Sequence, residues 1–190
     1  MKIAYIVSLY FGTRRVQASG YRQDKLFYLR KHIEHLTRLK HSCSKIIFVI
    51  NHSLDHQEIT ETKRAIKLIL DFKVEHSDKK VEILRRENSG MSYAAWDEAL
   101  KRSCKDVDYT FLIEDDYCPV SNNFDEKFLH YFAENQKCFL NLLTDHGYEV
   151  RDTGDVYRNY FLNHLSELKI YGNKDGEDLI LPIHENAKWV

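Results

Sequence analysis

The stretch Tyr109-Thr110-Phe111-Leu112-Ile113-Glu114-Asp115-Asp116 constrains the fold more than any other. Five residues of aromatic, β-branched or aliphatic character run straight into three carboxylates. The apolar run is too short for an ordinary helix and suits a strand covered on both faces. The carboxylates cannot follow it into a core, because an unpaired buried charge costs many kcal/mol. They emerge instead at the strand's C-terminal edge, where open α/β sheets bind their ligands. Three adjacent like charges favour a counter-cation, and oxygen donors at this density suit a hard divalent ion, Mn²⁺ or Mg²⁺. A solvated acidic turn is the other reading of the same residues.

The preceding chain supplies layers for such a strand. Ile3–Leu9 and Lys45–Asn51 are two more short apolar runs, and Val81–Arg86 reads as a further strand. Between the first two, Gln23–Lys40 spaces Leu26, Leu29, Ile33, Leu36 and Leu39 by three or four residues, an amphipathic helix. His56–Phe72 repeats the pattern through Ile59, Ala65, Ile66, Ile69 and Leu70. Met91–Cys104 is the third helix, with Ser89 or Ser92 placed to cap it. Strands alternating with helices predict the α/β class, a layered α/β/α arrangement with a mostly parallel central sheet of Rossmann-like kind. Beyond Pro119, Phe124–Asn135 reads as a helix, Cys138–Leu143 as a strand and Tyr157–Leu168 as a helix. Leu179–Ile183 reads as a strand that Pro182 confines to an edge.

Composition narrows the function. The 190 residues suit one domain with a real core. With 28 basic against 29 acidic residues, no global field gathers nucleic acid or a membrane surface. Cys43, Cys104, Cys118 and Cys138 lie far apart without a CxxC pair, so they read as reduced thiols of a cytoplasmic-type compartment rather than a disulfide framework or a zinc site. No run is long enough for a transmembrane segment. The opening MKIAYIVSLYF meets Arg14-Arg15 without a small-residue cleavage site and is read as the first strand. The phosphate-binding patterns GxGxxG and GxxxxGK[ST] do not follow that strand, which argues against dinucleotide and P-loop enzymes. Neither HExxH nor GxSxG occurs, which argues against a histidine-built zinc enzyme and the commonest serine hydrolases.

Polar groups nevertheless gather after each strand. They are Tyr10 with Arg14 and Arg15, Asn51 with His52, Asn88-Ser89-Gly90, the acidic trio, and Asp145-His146-Gly147. The segment Asn88-Ser89-Gly90-Met91-Ser92-Tyr93-Ala94-Ala95, followed downstream by a strand ending in clustered acids, resembles glycosyltransferases of the A-type (GT-A) fold. The likeness is to the large family 2 of nucleotide-sugar transferases, in which an asparagine-x-glycine-x-serine turn opens a helix and a later strand ends in Asp-x-Asp. Here that motif is the Glu114-Asp115-Asp116 variant, and the likeness spans roughly residues 1–135.

The resemblance implies a nucleoside diphosphate sugar donor held by residues 1–120 and a glycan or glycoconjugate acceptor on residues 121–190. Asp116 would hold the Mn²⁺ or Mg²⁺ that bridges the donor phosphates. Glu114 would reach the ribose or the metal through water, and Asp115 the donor sugar or ribose. Tyr10 would stack on the base, Arg14 or Arg15 would pair with phosphate, and Asn88 and Gly90 would form the donor-side turn. Asn51 stands where the family often has an aspartate that reads uracil; Trp96 stands where it often has asparagine, and reads as core. The catalytic base would be Asp178 of Glu177-Asp178, with Asp145 its rival on position and a turn acid the alternative role; His184 would be a late metal ligand. The implied activity is a metal-dependent glycosyltransferase of inverting type. A nucleotidyltransferase and a non-catalytic sugar-nucleotide-binding domain of the same fold are the alternatives.

Overall fold

Two strands carry the centre of the molecule. In the computed structural model, which describes residues 1–12, 23–52, 56–135 and 180–182, β1 (Ile3–Tyr10) and β2 (Lys45–His52) are buried along almost their whole length. Such strands must be covered on both faces, and the near-continuous apolar sequence is what that requires. They are flanked by β3 (Lys80–Glu87) and β4 (Tyr109–Glu114) in a parallel sheet of order β3-β2-β1-β4. The more polar β3 and β4 take the outer positions of this described sheet.

Helices α1 (Phe27–Arg38), α2 (His56–Glu75) and α3 (Met91–Ser103) connect successive strands, and α4 (Phe124–Asn135) follows β4. Register decides which face each strand residue serves. Tyr5 lies beside Ile46 and Val7 beside Phe48, so both sets share one face. That face packs Tyr5, Val7, Leu9, Phe48 and Ile50 against Leu29, Ile69, Phe72 and Phe124 of α1, α2 and α4. The other face carries Ala4, Ile6, Ile47 and Val49 against Ala95 and Ala99 of α3. The α/β class and the parallel sheet expected from periodicity are therefore present, with helices on both faces.

Local chemistry moves several boundaries. Helix α1 begins at Phe27, not Gln23, because Asp24 turns the chain first: its carbonyl accepts the Phe27 N–H at 2.9 Å and its Oδ1 the Leu26 N–H at 3.0 Å. Neither Ser89 nor Ser92 caps α3 through its side chain; the cap is Gly90 at φ 70°. A Cβ there would meet the Ala94 Cβ at 2.8 Å, so both backbone conformation and space call for glycine. The expected strand around Leu179–Ile183 is observed as β6 (Ile180–Pro182), antiparallel to β5 (Tyr117–Pro119), a partner the sequence did not announce. The strand expected at Cys138–Leu143 and the helix at Tyr157–Leu168 lie outside the described residues. Among the described residues no helix is long and apolar enough to cross a membrane.

Candidate functional site

The strand order creates a switch point. From β1 the chain steps outward to β2 and β3, then returns to lay β4 on the opposite side of β1. The crevice between the C-terminal ends of β1 and β4 is where such folds take ligands. Ser8 pairs with Glu114 there, so the acidic trio begins at that end of the sheet.

The three acids are treated differently. Glu114 is exposed, Asp116 is half-buried, and Asp115 is buried. Asp115 Oδ2 accepts the Tyr10 backbone N–H at 3.1 Å, so this carboxylate ties the end of β1 to the end of β4. The Asp115 carbonyl accepts from His32 Nε2 at 2.9 Å. Because a carbonyl only accepts, the His32 proton sits on Nε2, and Nδ1 takes the Tyr5 O–H at 2.9 Å. Burial pushes His32 down to about 4, against a weaker upward pull from the Asp115 carbonyl, so the ring is neutral near pH 7. Burial raises the Tyr5 hydroxyl well above its usual range, which keeps it a donor.

A second anchor comes from the other layer. Trp96 of α3 donates its indole N–H to the Ile113 carbonyl at 3.3 Å while its ring packs against the α3-side core. The carbonyls on either side of Glu114 are thus fastened from opposite faces of the sheet, by His32 and by Trp96. Held backbone of this kind fixes where the carboxylates project.

At the neighbouring strand ends the polar groups bind one another. Asn51 is buried; its Nδ2 donates to Ser8 Oγ at 2.9 Å and to the Leu9 carbonyl at 3.2 Å. Its Oδ1 accepts from Arg86 at 2.6 Å. Arg86 also pairs with Glu98 at 3.2 Å and donates to the Ser89 carbonyl at 2.7 Å, which braces the turn before α3. The amide expected to read a base is committed to holding β1, β2 and β3 together. Asn88 is exposed, with its backbone N–H on the His52 carbonyl. Tyr10, Asn51, Glu114, Asp115 and Asp116 therefore share one sheet edge, with Asn88 and Gly90 beside it. Arg14, Arg15, Asp145, Asp178 and His184 lie outside the described residues.

Sequence reasoning missed His32, Arg86 and the anchoring role of Trp96. His32 carried a signal: a polar residue on the apolar stripe of α1, three after Leu29 and four before Leu36. Arg86 carried none beyond standing at a strand end. Of the three acids, Glu114 and Asp116 are the ones that could offer oxygen to a divalent cation, since Asp115 serves as a latch. No protein-family model, curated protein or solved structure matches the chain.

Proposed function

We propose that this edge binds a nucleoside diphosphate sugar with Mn²⁺ or Mg²⁺, and that the protein is a metal-dependent glycosyltransferase delivering the sugar to a glycan or other hydroxyl acceptor. One observation carries the reading: the acid-bearing end of β4 lies at the switch point beside β1, with its backbone clamped from both helical layers. The sequence after β1 has no glycine-rich phosphate cradle, so a diphosphate needs other positive charge. A cation on Glu114 and Asp116 supplies it by stabilising charge on the departing diphosphate. Asp115 positions its neighbours through the Tyr10 latch. Tyr10 offers a ring for the base and Arg14 a fork for phosphate. Asp178 or Asp145 takes the acceptor hydroxyl's proton, the step that inverting transfer requires.

The test is thermal stabilisation and slow donor hydrolysis across a panel of nucleoside diphosphate sugars, with and without Mn²⁺. One donor should stabilise the protein only when Mn²⁺ is present. In Asp116→Asn that metal-dependent affinity should fall about 10- to 100-fold, the scale of a lost charged contact. Unchanged donor affinity in this variant removes the metal role. Response to nucleoside triphosphates alone assigns a nucleotidyltransferase, and donor binding without any turnover assigns a binding domain.

A further inference from the structure

The opposite edge of the sheet holds a second cluster that the proposed transferase does not use. The loop between α1 and β2 brings His41 and Cys43 against Asp125 in the first turn of α4. One ligand atom from each lies within 4.8 Å of the others. Cys43 and Asp125 are buried, Asp125 completely. The Asp125 Oδ2 accepts the Ser42 backbone N–H and stands 3.8 Å from the Cys43 sulfur, whose S–H donates to it. Its Oδ1 is buried with no hydrogen-bond partner among the described residues.

His41 is set up in the same sense. Its Nε2 donates to the Leu36 carbonyl at 3.2 Å, which leaves the lone pair on Nδ1. That Nδ1 is also buried and has no partner among the described residues. Metal-bound histidines commonly show this arrangement, with the far nitrogen donating to a backbone carbonyl. Two orphaned acceptor atoms in one buried cluster are costly unless something satisfies them. We propose that His41 Nδ1, Cys43 Sγ and an Asp125 oxygen form a transition-metal site of zinc type, which staples α4 to the loop between α1 and β2.

The donor set selects the ion. One nitrogen, one sulfur and one oxygen suit Zn²⁺ rather than the Mg²⁺ or Mn²⁺ appropriate to carboxylates alone. In a tetrahedral zinc site the ligand atoms stand about 3.5 Å apart, so the cluster closes by a small contraction. Binding converts the thiol to a thiolate and releases one proton to solvent; thiolate and carboxylate together then balance the ion's charge. Lys79 is the nearby opposing charge, and its ammonium is held by the Cys43 carbonyl at 3.3 Å and by Asp78 at 3.6 Å. Three protein ligands leave a fourth position for water. The absence of CxxC spacing had argued against zinc, but a site drawing its third ligand from Asp125 has no local motif to find.

Chelator-treated protein titrated with Co²⁺ gives the readout, because only a cobalt–thiolate bond produces the intense near-ultraviolet charge-transfer band. A band that saturates at one equivalent and is bleached by Zn²⁺ is the expected result. Cys43→Ser should lose it, and His41→Asn should weaken Co²⁺ binding at least about tenfold. Asp116→Asn should keep it, which separates this site from the one at the other edge. No band in the wild-type protein overturns the proposal, as does an undiminished band in folded Cys43→Ser. Should Cys43→Ser fail to fold, X-ray absorption of the zinc-loaded wild type decides: one sulfur with nitrogen and oxygen supports the site, and an all-oxygen or multi-sulfur shell overturns it.

Discussion

Two histidines at opposite edges of the sheet meet different treatment. His32, within α1, is buried with both ring nitrogens partnered, one to the Asp115 carbonyl and one to Tyr5. His41, just past the end of α1, has one nitrogen on the Leu36 carbonyl and the other buried with no partner among the described residues. The first is a strut with no bonding capacity to spare, so what it supports, the Glu114–Asp116 segment, is what can meet a ligand. The second has capacity left over and shares it with the orphaned Asp125 oxygen. Full satisfaction marks support, and unsatisfied acceptors in one cluster are what the zinc proposal rests on.

Four substitutions or conditions probe this contrast. His32→Leu should have the largest effect, about 3 kcal/mol in urea unfolding, because the Tyr5 O–H and the Asp115 carbonyl each lose a buried hydrogen bond. Loss under about 1 kcal/mol would show that water or a rearranged neighbour replaces the ring. The same histidine predicts a pH dependence of nearly that size. Its folded pKa of about 4 lies below the unfolded value of 6.5, so the unfolded chain binds the proton first as pH falls. Stability is complete above pH 6.5 and declines between there and pH 4, by up to about 3 kcal/mol. His35 and His41, lowered mainly by their own burial, act in the same direction. Unfolding at a series of pH values should lose most of this slope in His32→Leu; a slope that persists places it on the other two.

Gly90→Ala comes next, at about 1–2 kcal/mol, for a left-handed residue given a side chain it has no room for. Its melting temperature should drop while the sheet's circular dichroism is retained. The smallest change belongs to His41→Asn in metal-free protein, about 1 kcal/mol, for one modest hydrogen bond and a ring contact with Phe124. With Zn²⁺ added, the wild type should rise in melting temperature and this variant should not. Equal responses would erase the distinction between the two edges.

Much of the fold was legible because it is local. Apolar runs such as Lys45–Asn51 announce strands covered on both faces, and the spacing of Leu29, Ile33 and Leu36 announces a helix. Of the acids expected to leave the core after Ile113, Glu114 is exposed and Asp116 half-buried at that edge, whereas Asp115 stays buried because the Tyr10 N–H satisfies its carboxylate. What stayed hidden depends on residues distant in sequence. Asp115 was expected at the donor sugar or ribose, and nothing local to it announced the bond from its side chain to the Tyr10 backbone N–H. Asn51 looked free to read a base until Arg86 and Ser8 were found on its amide. Cys43 and Asp125 lie eighty-two positions apart, so no spacing rule connects them.

By itself, then, the sequence determined the alternation of elements, the class of sheet and the edge where charge must surface. These follow from periodicity and from the cost of burying an ion, both readable within a few residues. The tertiary structure alone decided the strand order, and with it which polar atoms find partners. A hydrogen bond needs two groups within about 3 Å, and only the folded chain brings His32 to Asp115 or Asn51 to Arg86.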